Sequence, residues 1–247
     1  MGEKLVLGLD IGGTGIKGAI VNTQDGTLVS DRVKILTPKP ATPNAIAEVC
    51  LKVSQDLNWD GPIGCGFPAI VKHGVVLSAA NIDDSNIGVN FEQLLQDKTA
   101  KPVKVVNDAD AAGFAEMKFG AGKNKQGLVM VITIGSGLGS AMFYNGVLIP
   151  NTEFGHLYLK EKEAEKYASN LARKKYNLSW KTWGRRFSIY LQHLDRLFSP
   201  DLYILGGGIS KDYEKFGKFI DVNVPVKPAE MFNAAGTIGA ALAFNED

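Results

Sequence analysis

Two carboxylates and two glycine-rich turns carry the first chemical suggestion in this 247-residue chain. Asp10 follows the apolar stretch 5–9 and opens the run Asp10-Ile11-Gly12-Gly13-Thr14-Gly15-Ile16-Lys17. An acidic residue at the end of a buried strand is costly unless it is hydrogen-bonded or holds a metal. Glycines let backbone N–H groups approach phosphate oxygens, and Thr14 and Lys17 would add a hydroxyl and a cation to such a clamp. An ordinary glycine hairpin is the alternative. The turn joins strand to strand, and neither GxGxxG nor GxxxxGK[ST] occurs at 10–17, which argues against Rossmann and Walker sites.

Val105-Val106-Asn107-Asp108 places a carboxylate where an apolar strand passes into a helix. Asn107 or Asp108 there either caps the helix or, for Asp108, serves as a general base that takes a hydroxyl proton. Glu153-Phe154-Gly155-His156 spaces a glutamate and a histidine to read sugar hydroxyls, against a purely structural histidine. Too few ligands stand near His156 in the sequence for a metal site. Leu205-Gly206-Gly207-Gly208-Ile209-Ser210 joins strand to helix and suits either a phosphate or nucleoside or tight helix–sheet packing.

These residues need elements to hold them. Hydrophobic patterning predicts strands at 4–9, 16–21, 27–36, 62–67, 75–77 and 103–106, and helices at 41–57, 91–95 and 108–119. A second meander follows at 127–134, 140–144 and 147–149, then helices at about 161–175 and 179–198. Strand 201–205, a helix after Gly208, strand 222–226 and a helix over 233–244 complete the reading. Ile11–Ala19 can be laid over Ile134–Ala141 with one deletion, which suggests an internal repeat and two related lobes that meet directly.

Composition narrows the class. Apolar residues make up 45% and charged residues 21%, ordinary for a globular protein. A net charge of +1 gives no field that marks a nucleic-acid or membrane binder. Cys50 and Cys65 are too few for a disulfide scaffold or a cysteine-based zinc site. With no signal peptide or membrane-length apolar run visible, a reducing, cytoplasmic location is expected. The neutrality hides an asymmetry: residues 1–110 hold 10 basic and 13 acidic groups, and residues 111–247 hold 17 and 13. Arg173, Lys174, Lys175, Lys181, Arg185 and Arg186 supply much of the surplus, either as a solvated helix face or as a track for an anion.

Taken together the motifs resemble the ROK family of sugar kinases, over essentially the whole chain. DIGGTGIK (10–17) and ITIGSGLGS (132–140) look like its two phosphate motifs, Asn107-Asp108 like its catalytic pair, EFGH (153–156) like its sugar motif and LGGGIS (205–210) like its adenosine-side motif. The resemblance implies an α/β, two-lobed actin-like (ribonuclease H-like) ATPase fold with a central cleft. It divides the chain into a small lobe at 1–110, with the terminal helix 233–247 packed back on it, and a large lobe at 111–232. Most ROK kinases carry a cysteine-rich zinc motif after the histidine, but residues 157–200 contain no cysteine, so no zinc is expected. That segment is similar to the zinc-free branch of bacterial glucokinases that draws phosphate from inorganic polyphosphate, in some members also from ATP.

Carried over by position, Asp108 is the general base on the glucose 6-hydroxyl. Gly66, Pro68, Asn81, Asn107, Glu153 and His156 line the glucose site. Asp10, Gly12, Gly13, Thr14, Gly15, Lys17, Gly135, Ser136, Gly137, Gly207 and Gly208 hold the phosphate donor, with Mg²⁺ placed by Asp10 through water. Lys174, Lys175, Arg185 and Arg186 are expected to form part of a polyphosphate track. Asn86 stands near where the branch has a tryptophan, which puts the packing of the sugar loop in question. A homodimer and no nucleic-acid or membrane partner are further expectations. The rivals are an ATP-dependent hexose or N-acetylhexosamine kinase, a ROK repressor, for which no winged helix precedes the first strand, and a non-catalytic sugar-binding protein.

Overall fold

The computed structural model describes residues 4–80 and 82–245, and the chain divides into two compact units, 1–115 with 234–247 and 116–233. In the first unit, β1 (Leu5–Ile11), β2 (Ile16–Asn22) and β3 (Val33–Ile35) form an antiparallel meander. Helix α1 (Pro43–Asp56) follows, entered through Thr42, whose hydroxyl accepts from Ala45 N while Pro43 fills the first turn. The chain then forms β4 (Ile63–Phe67), the small hairpin β5 (Val71–Lys72) and β6 (Val75–Val76), α2 (Phe91–Thr99), β7 (Val103–Asn107) and α3 (Asp108–Lys118). The sheet runs β3-β2-β1-β4-β7, with β1, β4 and β7 parallel. Strand β7 lies on the sheet edge, where Glu92 of α2 accepts a hydrogen bond from Val105 N at 2.8 Å and so engages a main-chain donor on that edge.

The second unit repeats the plan. Strands β8 (Leu128–Ile134), β9 (Leu138–Tyr144) and β10 (Val147–Ile149) form the meander. A small hairpin of β11 (Tyr158–Leu159) and β12 (Lys162–Glu163) leads to α4 (Ala164–Ala168), α5 (Asn170–Lys175) and α6 (Trp180–Phe198). Strand β13 (Leu202–Gly206), the short helix α7 (Tyr213–Phe216) and β14 (Val226–Pro228) close the unit. The order β10-β9-β8-β13-β14 and the strand senses reproduce those of the first sheet. The first turn loop has four residues and the second three, since the last ladder pairs are Ile11↔Ile16 and Ile134↔Leu138. That is the one-residue deletion in the sequence overlay.

Several expected elements differ. The predicted helix 161–175 begins as strand and breaks at Ser169, which ends α4 and caps α5 by accepting from Ala172 N. The strand expected at 27–36 shrinks to β3, because Ser30 turns back to bind Ile20 N. The strand expected at 222–226 starts only at Val226, and the helix after Gly208 is a 3-10 turn ahead of α7.

The chain returns to the first unit as α8 (Ala235–Ala243), an Ala/Gly-rich helix buried against β1 and β4. Glycines make that approach possible. A Cβ on Gly8 would stand 2.0 Å from Thr237 O, one on Gly64 1.8 Å from Ala240 O, and one on Gly239 1.5 Å from Ala111 O. Helix and sheet therefore touch backbone to backbone. Among the described residues, no helix is long and apolar enough to cross a membrane.

Because that contact has no clearance, Gly64→Ala should lower unfolding free energy by about 3 kcal/mol or more in urea titrations. Gly208→Ala, whose added Cβ meets nothing within 4 Å, should stay within about 0.5 kcal/mol of the parent.

Candidate functional site

In the first unit, three parallel strands deliver polar residues to one end of the sheet. Register pairs Asp10 with Gly66 and Gly66 with Val106, so Asp10, Gly66 and Asn107 arrive at the carboxyl ends of neighbouring strands. Open α/β sheets bind ligands at that end. Asp108 begins α3 and is half-buried. Asn107 is buried and shapes the junction: its Oδ1 accepts from Ala109 N at 2.8 Å and Asp110 N at 3.1 Å, and its Nδ2 donates to Ala69 O. Asn107 thus caps the helix that Asp108 opens and pins the chain just past Pro68. Of the two residues the sequence offered as the cap, Asn107 takes that place.

Asp10 is paired. Lys17, its register partner across the hairpin, donates to Asp10 Oδ2 at 2.8 Å. The first residues of α8 crowd the same carboxylate, and a Cβ on Gly236 would lie 2.7 Å from Asp10 Cγ. Lys17 is therefore engaged by Asp10 in addition to any part in donor binding. Magnesium keeps several waters and takes few protein ligands, so the single carboxylate of Asp10 fits binding through water, with Lys17 competing for it. At the hairpin tip Gly13 and Thr14 are exposed, and Gly12 N donates to Gly15 O at 3.1 Å. Gly15 is buried against Lys34, where a Cβ would come within 2.9 Å of that side chain.

Asn81 lies outside the described residues. Asn86, on the same loop, is buried; its Nδ2 donates to Ala41 O at 2.9 Å and to Asp83 O at 2.7 Å. The asparagine thus anchors the loop to the chain entering α1 through hydrogen bonds.

In the second unit, Gly135 and Ser136 are exposed at the turn, and nothing lies within 4 Å of a Cβ placed on Gly135. Gly137 leaves room for Glu165, whose Oε2 would be 2.4 Å from an added Cβ. Glu153 and His156 sit beside this turn because Gly155 packs on Leu138, with Leu138 O only 2.1 Å from a would-be Cβ. Ser140 of β9 accepts from Phe154 N at 3.0 Å and donates to Thr152 O, fastening the EFGH segment to the strand. Gly207 has φ +77°, and its Cβ would meet Ile134 N and O at 2.6 Å, so this glycine serves the close packing of two backbones. Gly208 beside it faces open space.

Around His156 the structure corrects the sequence reading. Too few ligands were expected near it, yet the β11–β12 hairpin folds Glu163 back and α4 adds Glu165. Ligand atoms of His156, Glu163 and Glu165 all lie within 4.8 Å of one another. His156 Nε2 is 3.8 Å from Glu153 Oε2 and its Nδ1 is 3.6 Å from Glu163 Oε1, while Lys166 holds Glu163 at 2.5 Å. Burial raises the Glu153 carboxyl above the usual glutamate value; His156 opposes the shift and Glu165 adds to it. Glu163 and Glu165 escaped the sequence reading because Lys160-Glu161-Lys162-Glu163-Ala164-Glu165-Lys166 reads as a solvated charged run. No periodicity marks the turn that folds it inward.

The basic residues are arranged on aromatic rings. Arg186 lies 5.0 Å from the Tyr167 centroid and 5.7 Å from that of Tyr176, which Lys175 also approaches at 5.8 Å. Arg173 stacks 4.0 Å above Trp180. Among the described residues, none of Arg173, Lys174, Lys175, Arg185 and Arg186 forms an ion pair with a carboxylate. Helix α5 starts on the turn itself: Leu171 N donates to Gly135 O at 3.2 Å. The basic end of α5 therefore lies within two helical turns of the glycine hairpin.

This arrangement has close relatives. Polyphosphate glucokinase of Mycobacterium tuberculosis (strain ATCC 25618 / H37Rv) is 46% identical over 237 residues, 96% of this chain and 89% of that protein. The enzyme of the same name from Mycobacterium leprae is 44% identical over 241 residues, 97% of this chain and 74% of that one. The crystal structure of inorganic polyphosphate/ATP-glucomannokinase from Arthrobacter sp. strain KM superposes with a TM-score of 0.94 at 43% identity, over 98% of both chains. A ROK glucokinase from Streptomyces griseus, in complex with glucose and AMPPNP, gives 0.83 at 25% identity over 96% of this chain and 98% of that one. The fold is the actin-like ATPase fold of these sugar kinases. Residues 6–172 match the model of the ROK family, and the chain belongs to that family.

Proposed function

We propose that this chain is a polyphosphate–glucose phosphotransferase, which moves the terminal phosphoryl group of inorganic polyphosphate to the 6-hydroxyl of glucose. The observation that carries this reading is the near-complete likeness, at 43–46% identity, to proteins named for polyphosphate and glucose phosphorylation. ATP is a second donor in this reading, in line with the Arthrobacter enzyme's name, and mannose a second acceptor.

In the reaction, the glucose O6 forms a bond to the terminal phosphorus as the bridging P–O bond breaks. Glucose 6-phosphate leaves, together with a chain one phosphate shorter. Asp108 accepts the hydroxyl proton as O6 attacks. Its place at the first turn of α3, set by the Asn107 cap, keeps the carboxylate aimed from a rigid junction. Glu153 and His156 hold sugar hydroxyls, with Glu165 as a further acceptor beside them; Gly66, Pro68, Asn81 and Asn107 complete the glucose site. The N–H groups at Gly13 and Ser136 cradle donor phosphates, with Gly12, Thr14, Gly135, Gly137 and Gly208 around them. Asp10 would hold Mg²⁺, which would supply neutralising charge to the donor when bound. Positioning and charge stabilisation supply most of the acceleration in such transfers.

Polyphosphate outruns a nucleotide site, so it needs cations without carboxylate partners. Lys174, Lys175 and Arg185 are exposed, and Arg186 is held ready by its two tyrosines. Homodimeric assembly and a cytoplasmic setting belong to the same reading, as does a requirement for no zinc; both cysteines are buried thiols.

Three outcomes test it. Asp108→Asn should cut kcat by about 10²–10⁴-fold with both donors while the fold and glucose affinity persist; near-normal turnover would remove the general base. On raising salt, the KM for long polyphosphate should climb more steeply than that for ATP, and Lys174→Ala with Arg185→Ala should flatten only the polyphosphate slope. Equal slopes for the two donors would contradict the track. Glu153→Gln has opposite effects on stability and binding. The folded protein binds the Glu153 proton more tightly than the unfolded chain does, because burial raises the carboxyl. The stability tied to that proton is present below the unfolded pKa and is lost as pH rises through the folded one. Glu153→Gln should therefore be the more stable protein in urea at pH 7, should lose that gain below about pH 4, and should show a raised KM for glucose.

A further inference from the structure

We infer that Thr37 is a positioning residue for the phosphate donor, acting through the peptide plane between Gly12 and Gly13. This inference rests on the reading that the hairpin holds donor phosphates. Thr37 lies just past β3, which pairs with β2 at Ile16, Lys17 and Gly18 and so brings the following residues alongside the turn. Its side chain is buried, and its Oγ1 donates a hydrogen bond to Gly12 O. The peptide unit is planar and trans, so the carbonyl of Gly12 and the N–H of Gly13 point in opposite directions. A hydroxyl that grips the carbonyl on one side therefore fixes where the N–H is presented on the other.

Consecutive glycines make that grip necessary. Gly12-Gly13 can rotate its shared peptide through conformations closed to other residues, and Gly13 is exposed with solvent around it. The internal bond Gly12 N→Gly15 O closes the turn but leaves the Gly12 carbonyl to be set from outside. Thr37 sets it.

The second hairpin carries the same device in another material. Gly135 occupies the place of Gly12 in the repeat, its N–H likewise closes the turn by donating to Gly137 O, and its carbonyl accepts from Leu171 N at 3.2 Å. The next N–H, on exposed Ser136, is fixed by the same planarity. One unit uses a side-chain hydroxyl and the other a main-chain amide, yet the same carbonyl is held in both. A fastening needed only for local stability has no reason to recur on this one atom in two hairpins of different length. Only the Thr37 fastening is removable by a side-chain change.

Steady-state kinetics with polyphosphate and with ATP, at saturating glucose, test the inference on Thr37→Val, Thr37→Ala and Thr37→Ser. The two variants without a hydroxyl should lose about 10-fold in kcat/KM for either donor, the scale of one directed hydrogen bond, while the KM for glucose stays within about twofold. Thr37→Ser should recover most of the loss. Whichever of Val and Ala folds, as judged by thermal unfolding, supplies the comparison with Ser. Donor kinetics at the parent level in that variant, or a loss that Ser fails to rescue, would overturn the role of Thr37. Gly13→Ala is measured in parallel to separate the two readings. If it impairs donor use while the Thr37 variants do not, Thr37 alone is wrong; if neither impairs donor use, the hairpin is not the donor cradle.

Discussion

The first unit depends on a helix laid directly on a sheet with no side chains between them. Gly8, Gly64 and Gly239 bring α8 so close that an added methyl group would overlap main-chain atoms of Thr237, Ala240 and Ala111. Close packing of this kind leaves few ways to shift one element without the others. The consequence reaches the chemistry. Gly236, at the start of α8, abuts the Asp10 carboxylate, and Ala111 belongs to the first turn of the helix that Asp108 opens. The relative placement of Asp10 and Asp108 is therefore fixed by backbone contacts formed with residues more than a hundred positions later in the chain.

Duplication explains much of the rest. Two sheets with one strand order each offer a glycine turn between their first two strands, and each turn is held by an outside donor on the same carbonyl. The units have diverged in what surrounds that turn. In the first, Lys17 neutralises Asp10 next to it. In the second, Glu165 packs on Gly137, and α5 leaves the turn carrying Arg173 over Trp180 and Lys175 over Tyr176, neither paired with an acid. A guanidinium on an aromatic face keeps its charge and loses little freedom when an anion arrives, because its side chain is already ordered. An ion pair would have had to be broken first.

Local signals in the sequence were enough for the hairpins, the Asn107-Asp108 junction and the EFGH segment, since each couples an apolar strand to glycines or to a capping residue. The short apolar runs at 127–134 and 103–106 are buried-strand signals that need no distant contact. What stayed hidden depends on distant pairing. Glu165 joins Glu153 and His156 only because Ser169 breaks the predicted helix and a two-strand hairpin turns a charged run inward. Thr37 sits in a proline-rich stretch, and nothing in its neighbours announces a bond to a carbonyl 25 residues earlier. Glu116 is similar: it reads as an ordinary helix glutamate, yet its buried carboxylate accepts from Ala121 N, Glu230 N and Met231 N. Asn107 was legible as a cap or a ligand, and only the bonds it accepts from Ala109 N and Asp110 N show that capping engages its carbonyl oxygen.

Under the proposed function, the acidic cluster at His156 is a stability cost retained for sugar binding. Gathering Glu153, Glu163 and Glu165 around one imidazole places like charges together, and Glu153 is partly desolvated besides. A fold under selection for stability alone would replace such a group with an amide or an apolar side chain, and proteins accept this kind of penalty mainly where function requires it. Sugars present a ring of hydroxyl donors, each able to satisfy a carboxylate oxygen without adding charge. Lys166 limits the cost on the solvent side by holding Glu163, so that the tension falls chiefly on Glu153, the residue whose carboxyl is displaced upward. The strain is thus concentrated on Glu153 and kept away from the β11–β12 hairpin that brings the cluster together.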